Sequence, residues 1–261
     1  VNNGNIYLSG IASGSSNDIG FQAQTYGSKP LNLYATGTGT ITVYGNVAQA
    51  SGTDIHLSDL TALAASGAIL LDTNRAGSKI HQANDNSNST IVLGQMSTAP
   101  AALRASSSTV TIDADVYDIQ GSGGIVANTS SAVLFDSFGT AFTGGATFSR
   151  ITVGDSSTVP TFTLGRSTNT PSTGNITVSA GSIRTVNSFT PVAYDLLMGA
   201  SVTVTGAASV VTLTAHDDLT PRASITAPGG ISLLAKLAIS DSTSATRVFT
   251  VSGSGNPILF A

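Results

Sequence analysis

Cysteine is absent from all 261 residues, which removes disulfides, thiolate metal sites and cysteine nucleophiles together. Tryptophan is absent as well, and only 9% of residues carry charge, against roughly 25% in an ordinary soluble protein. The ten Lys and Arg are scattered and the net charge is −4, so no basic stripe is available to neutralise phosphates and nucleic acid is not an expected partner. The longest apolar stretches, Ala62 to Leu71 and Ile231 to Ile239, are too short to span a bilayer as helices and are broken by polar residues, so membrane insertion is not expected either. The sequence starts at Val1, without an initiator Met or a charged-plus-apolar leader, which reads as a processed product or an excerpt.

Ser, Thr, Asn and Gly take the place of the missing charges. Hydroxyls and amides suit flat, stacked, hydrogen-bonded faces better than the charged outer side of a surface helix, so helix is expected to be the minority state. Disorder is not expected, because hydrophobic residues still make up 41% of the chain and the net charge is small.

Short strand-like runs recur along the whole length. Gly4 to Ser9, Asp18 to Phe21, Leu31 to Tyr34, Gly39 to Tyr44, Asp54 to Leu57, Gly67 to Leu71 and Thr90 to Leu93 follow at intervals of about nine to twenty residues. The series continues with Thr109 to Ile112, Ala132 to Phe135, Phe148 to Val153, Thr161 to Leu164, Gly174 to Val178, Ala200 to Val204, Val210 to Leu213, Gly230 to Leu233 and Val248 to Val251. Most runs alternate apolar residues with Thr, Ser or Asn, giving one buried face and one wet, uncharged face. A degenerate unit, Gly-x-Ile-x-Val/Leu, begins at Gly4, Gly39, Gly67 and Gly174, with the glycine read as the turn that launches the strand. So short a repeat is best accommodated by coils of two or three strands, each stacked about 4.8 Å from the next around an aliphatic column. About twenty strands and a dozen coils are expected, forming one all-β solenoid over residues 1–261.

The alternative is one or two β-sandwiches. It is disfavoured because sandwich cores lean on large aromatics and because two-residue Asn-Gly or Asp-Gly hairpin turns are scarce. Irregular excursions are expected at 74–89, 96–108, 137–147, 166–173 and 187–197, and a helical turn or capped corner at 58–66.

Gly4-Asn5-Ile6-Tyr7-Leu8, Gly174-Asn175-Ile176-Thr177-Val178-Ser179-Ala180-Gly181 and Ala227-Pro228-Gly229-Gly230-Ile231-Ser232-Leu233-Leu234-Ala235 resemble the repeats of filamentous-haemagglutinin-like adhesins and autotransporter passengers. The resemblance covers most of the chain as a pattern, without a secretion-domain motif. It implies a right-handed parallel β-helix, export to the cell surface, and a role in attachment or matrix building. Both termini lie within the repeat, so each end is expected to meet neighbouring repeats of a longer chain or another copy of itself, end to end or laterally. Glycans or a host surface are the expected outside partners.

Candidate chemistry is sparse, and no catalytic, cofactor or metal residue is assigned. His56, His81 and His216 fall in different repeats without metal-type spacing and read as isolated surface or turn residues. His216-Asp217-Asp218 is the densest ionisable cluster and reads as a polar turn. Asp113 and Asp115, two apart, are expected to share a strand face and, with Asp118, compare with the acids that polarise a glycosidic bond or hold calcium in carbohydrate-active β-helices. Asp113, Asp115 and Asp217 would be the acids of a polysaccharide-processing β-helix enzyme, the second functional reading. A solvated outer strand is the simpler account of them. A donor-strand, pilin-like sandwich is the third reading. Ser13 to Ser16 lacks the strand-to-helix context of a nucleophile elbow, and the glycosylation spacings at Asn88, Asn128 and Asn175 are expected by chance in so Asn-, Ser- and Thr-rich a chain.

Overall fold

The computed structural model describes residues 4–13, 18–23, 31–48, 52–57, 61–65, 67–73, 78–82, 90–94, 109–120, 124–129, 131–136, 146–148, 150–155, 159–165, 175–240, 246–253 and 258–261. Among them are 28 β-strands and no helix. Every strand pairing is parallel, and each strand pairs with the third before it or after it in the chain. That is the signature of a solenoid with three strands per coil, and it excludes the sandwich, whose sheets require antiparallel neighbours.

Face 1 consists of β1 (Ile6–Ala12), β4 (Ile41–Val47), β7 (Ile69–Asp72), β10 (Val110–Asp113), β13 (Ala132–Asp136), β16 (Thr161–Leu164), β19 (Val192–Ala193), β22 (Val211–Ala215), β25 (Ile231–Ala235) and β28 (Ile258–Phe260). Single bridges through Phe189 join its two halves. Face 2 consists of β2 (Ile19–Ala23), β5 (Thr53–Leu57), β8 (Lys79–Gln82), β11 (Val116–Ile119), β14 (Ala146–Phe148), β17 (Ile176–Ala180), β20 (Leu196–Met198), β23 (Asp218–Pro221) and β26 (Ala238–Ile239). Face 3 consists of β3 (Leu31–Ala35), β6 (Thr61–Ala65), β9 (Thr90–Gly94), β12 (Gly124–Asn128), β15 (Ile151–Val153), β18 (Ser182–Thr185), β21 (Ser201–Val204), β24 (Ile225–Thr226) and β27 (Phe249–Thr250). Nine stacking steps along face 1 give a rod of about 43 Å at strand spacing, shorter than a dozen coils would make.

Alternation within the strands becomes columns across them. On face 1, Ile6, Ile41, Ile69, Val110, Val133 and Phe162 lie in register, and on face 3 Ile91, Ile125, Ile151, Ile183, Val202 and Ile225 do the same. These belong to one hydrophobic cluster that runs from Ala23 to Leu233, with Ile6 packed against it. The aliphatic column is interrupted by an aromatic one. Tyr117 and Phe135 stack at 5.6 Å between centroids, Phe135 meets Phe162 edge-on at 5.6 Å, and Phe162 stacks on Phe189 at 5.4 Å.

The glycine launches are present at β1, β4 and β7, but the reason for glycine there is close approach of backbone. A Cβ on Gly39 would sit 2.4 Å from the carbonyl oxygen of Gly4, and one on Gly67 2.7 Å from that of Gly39. Stacked launch points leave no room for a side chain.

Several expectations are corrected. Residues 61–65 form strand β6 and not a helical turn, and 79–82 and 192–193 are strands inside stretches read as irregular. The run Phe148 to Val153 is not one strand: β14 ends at Phe148 and β15 starts at Ile151 on the next face. The excursions at 96–108 and 166–173 lie outside the described residues.

Gln82 occupies a place in the inward column of face 2, between Leu57 and Ile119. It is fully buried, and neither its amide nitrogen nor its amide oxygen has a hydrogen-bond partner among the described residues. Gln82→Leu is therefore expected to raise stability by about 1–3 kcal/mol, because a buried amide without partners is replaced by a side chain that the column already accepts. A urea midpoint at or below that of the parent chain would show that Gln82 is satisfied after all.

Candidate functional site

Stacking brings side chains from distant parts of the sequence into outward ladders, and the chemically interesting residues sit in these. On face 2 the ladder runs Gln22, His56, His81, Asp118. The rings of His56 and His81 meet edge to face at 5.1 Å, and His81 Nδ1 lies 3.0 Å from Asp118 Oδ2. Gln120 donates its amide N–H to the other Asp118 oxygen at 3.0 Å. The expectation of isolated histidines is thus corrected for His56 and His81: the coils place them one rung apart because Ile55 pairs with Ile80 on the inward side. A His–Asp pair orients an imidazole and fixes which nitrogen faces solvent, which is half of a general-base arrangement. The groups in register beyond it are another imidazole and an amide.

Asp113 and Asp115 do not share a face. Asp113 ends β10, Ala114 is buried, and Asp115 is fully buried at the corner that leads into β11. The chain turns between the two residues, so the period-two argument fails there. Asp113 instead stacks between Asp72 and Asp136, the terminal residues of β7 and β13, in an outward acidic ladder. Asp115 joins a buried polar corner, its N–H directed at Ser78 Oγ, with Thr73 hydrogen-bonded to both Ser78 Oγ and the Asp113 carbonyl. Two coils before Asp115 the buried Asp54 carboxylate accepts the Val47 N–H at 2.9 Å and the Lys79 N–H at 2.7 Å. The Asp54 carboxylate thus satisfies backbone at the turn between faces 1 and 2, a structural task.

Behind the acidic ladder, the Tyr117 hydroxyl sits within hydrogen-bond distance of the carbonyl oxygens of Ile112 and Asp136, which share its one hydrogen. Burial first, and then the charges of Asp113 and Asp136, hold its phenol well above the usual tyrosine range, so it stays neutral and keeps its hydrogen.

The His216-Asp217-Asp218 cluster is the polar corner between β22 and β23, as read from the sequence. The structure enlarges it: the His216 ring lies 5.9 Å from that of Tyr194, and Asp195 Oδ1 accepts the Asp218 N–H. The charge of Asp217 and its hydrogen bond push the exposed Tyr194 phenol up. No group of three or more His, Cys, Asp or Glu is arranged to hold a metal ion among the described residues. No helix there is long and apolar enough to cross a membrane. Gly14 to Ser16 and Asn88 lie outside the described residues. Asn128 is engaged by its side chain with Asp155, and Asn175 by its side-chain oxygen with the Asp195 N–H.

No protein-family model, curated protein or solved structure matches this chain. The reading of its function therefore rests on its own ladders and faces. Sequence reasoning did not find the His56, His81, Asp118 alignment. The one available signal was the shared Ile-His dipeptide at 55–56 and 80–81, which puts each histidine one step after a core isoleucine.

Proposed function

We propose that this chain is an extracellular structural or adhesive module, a length of shaft in a surface fibre or adhesin, with no catalytic task of its own. The observation that carries the reading is the three-faced stack itself: every rung satisfies its backbone against the next, so the chain builds length and not a pocket around a reactive centre. Outward positions support it. On face 1 the outward rungs alternate Thr42, Leu70, Thr111, Leu134 and Thr163, and on face 3 Thr152, Thr203 and Thr226 are joined by the single charge of Arg184, so hydroxyls recur along both faces with little charge to repel a neighbouring fibre or glycan. Continuation of the rod by neighbouring repeats or by another copy is part of the same proposal, since parallel edges accept a further rung by backbone hydrogen bonding alone.

Antibody raised against the purified chain is expected to label intact, unpermeabilised producing cells, on projections visible in electron micrographs. Labelling that appears only after permeabilisation would overturn the surface reading. Depolymerisation of a glycan by the purified chain, abolished in Asp113→Ala or Asp217→Ala, would replace it with the enzymatic one.

A further inference from the structure

Face 3 is not uniform along the rod. From β9 onward its outward ladder runs Val92, Val126, Thr152, Arg184, Thr203, Thr226, Thr250, and Arg184 is the one charged residue in it. Arg150 immediately precedes β15, the rung beside Arg184, where Ile151 pairs with Ile183 and Thr152 with Arg184. Both arginines are exposed. They line one open groove of about 820 Å³ together with Thr152, Ser182, Thr203 and Asp155. Offset by one rung and two residues, their Cα atoms are roughly 8 Å apart at ordinary strand spacing. Among the described residues neither guanidinium takes part in an ion pair.

We infer that this groove is a binding site for an anionic polysaccharide, with Arg150 and Arg184 each taking a separate acidic group of the chain. This rests on the adhesive reading and gives it a ligand class. Guanidinium forks match carboxylate and sulfate oxygens two at a time, and two forks at separate points suit repeated charges along a polymer better than one compact ion. The rest of the lining suits sugar hydroxyls. Thr152, Ser182 and Thr203 can donate or accept, and the Asp155 carboxylate, oriented by the Asn128 amide at 2.8 Å, accepts from sugar hydroxyls. Single-stranded nucleic acid, the other common polyanion, is disfavoured because no aromatic side chain lines the groove among the described residues, leaving a base nothing to stack on, and the chain as a whole is acidic. A volume of this size lies within the ordinary range for ligand sites.

The test is retention of the purified chain in native gels containing polygalacturonate, dextran sulfate, neutral dextran or poly(dT), in parallel with Arg150→Gln, Arg184→Gln and the double variant. Retention by polygalacturonate or dextran sulfate, absent with neutral dextran, is expected. Each single variant is expected to lose about tenfold in affinity, the equivalent of one charge-assisted hydrogen bond. The preferred acidic polymer tells carboxylate from sulfate recognition. Circular dichroism of the variants should match that of the parent, since both side chains lie outside the core. Three results would overturn the inference: no retention by either acidic polymer, retention unchanged in the double variant, or equal retention by poly(dT). Failure here leaves cell-surface labelling unaffected, so the loss of the ligand and the loss of the shaft reading are told apart.

Discussion

Phe135→Ala is expected to destabilise the rod by about 3–5 kcal/mol, the range for deleting a fully buried aromatic ring. The ring lies nearly parallel to that of Tyr117, with 4° between planes, and edge-on to Phe162, so its loss opens a cavity between two coils and removes two aromatic contacts together. Coils contact only their neighbours, and a weak joint in the middle of such a stack uncouples what lies on either side. Urea unfolding followed by circular dichroism should accordingly shift to lower denaturant and separate into two transitions. Phe135→Leu, which refills part of the space, should lose less. An unshifted single transition in Phe135→Ala would show that the aromatic column does not hold the coils together.

Gly45→Ala should cost about 3 kcal/mol, at the upper end for overpacking, although only one methyl group is added. The new Cβ would lie 2.0 Å from the Asp54 carbonyl oxygen and 2.6 Å from Ile55 Cγ1. The backbone it strikes cannot retreat easily, because the Asp54 carboxylate is tied to the amides of Val47 and Lys79 on two successive coils. Gly10, which pairs with Gly45 in the adjacent rung, faces the same crowding from the Gly20 carbonyl. At these coils the second half of the face 1 strand lies directly against face 2. The thermal midpoint of Gly45→Ala measured beside that of Ala48→Gly separates the clash from a mere change in chain entropy. A midpoint for Gly45→Ala equal to the parent's would mean that the two faces are not so close.

Long alternating runs were legible in the sequence. Gly39 to Tyr44 and Gly67 to Leu71 carry Ile and Val or Leu two apart, and this period survives any change of neighbours. Strand β6, Thr-Ala-Leu-Ala-Ala, reads as a helical corner because alanine favours helix; it is a strand because Leu63 fits between Leu33 and Leu93 in the face 3 column. Strand β8, Lys-Ile-His-Gln, has one aliphatic residue and buries an amide, so nothing local marks it as core. The site candidates were less legible still. Counting by twos puts Asp113 and Asp115 together, but the strand ends between them.

What the sequence determined alone is the kind of architecture: a two-residue alternation of aliphatic and hydroxyl side chains, repeated with glycine at the launch points, has a simple solution in coils stacked in parallel. What only the tertiary structure decided is which side chains meet. Along face 1 the coils differ in length, from 20 residues between Val211 and Ile231 to 41 between Ile69 and Val110, so no constant spacing points from His56 to His81, from His81 to Asp118, or from Arg150 to Arg184. The physical reason is that register is set by backbone hydrogen bonds and the inward columns, while lengthening a loop between strands adds little closure entropy and leaves each excursion free to vary.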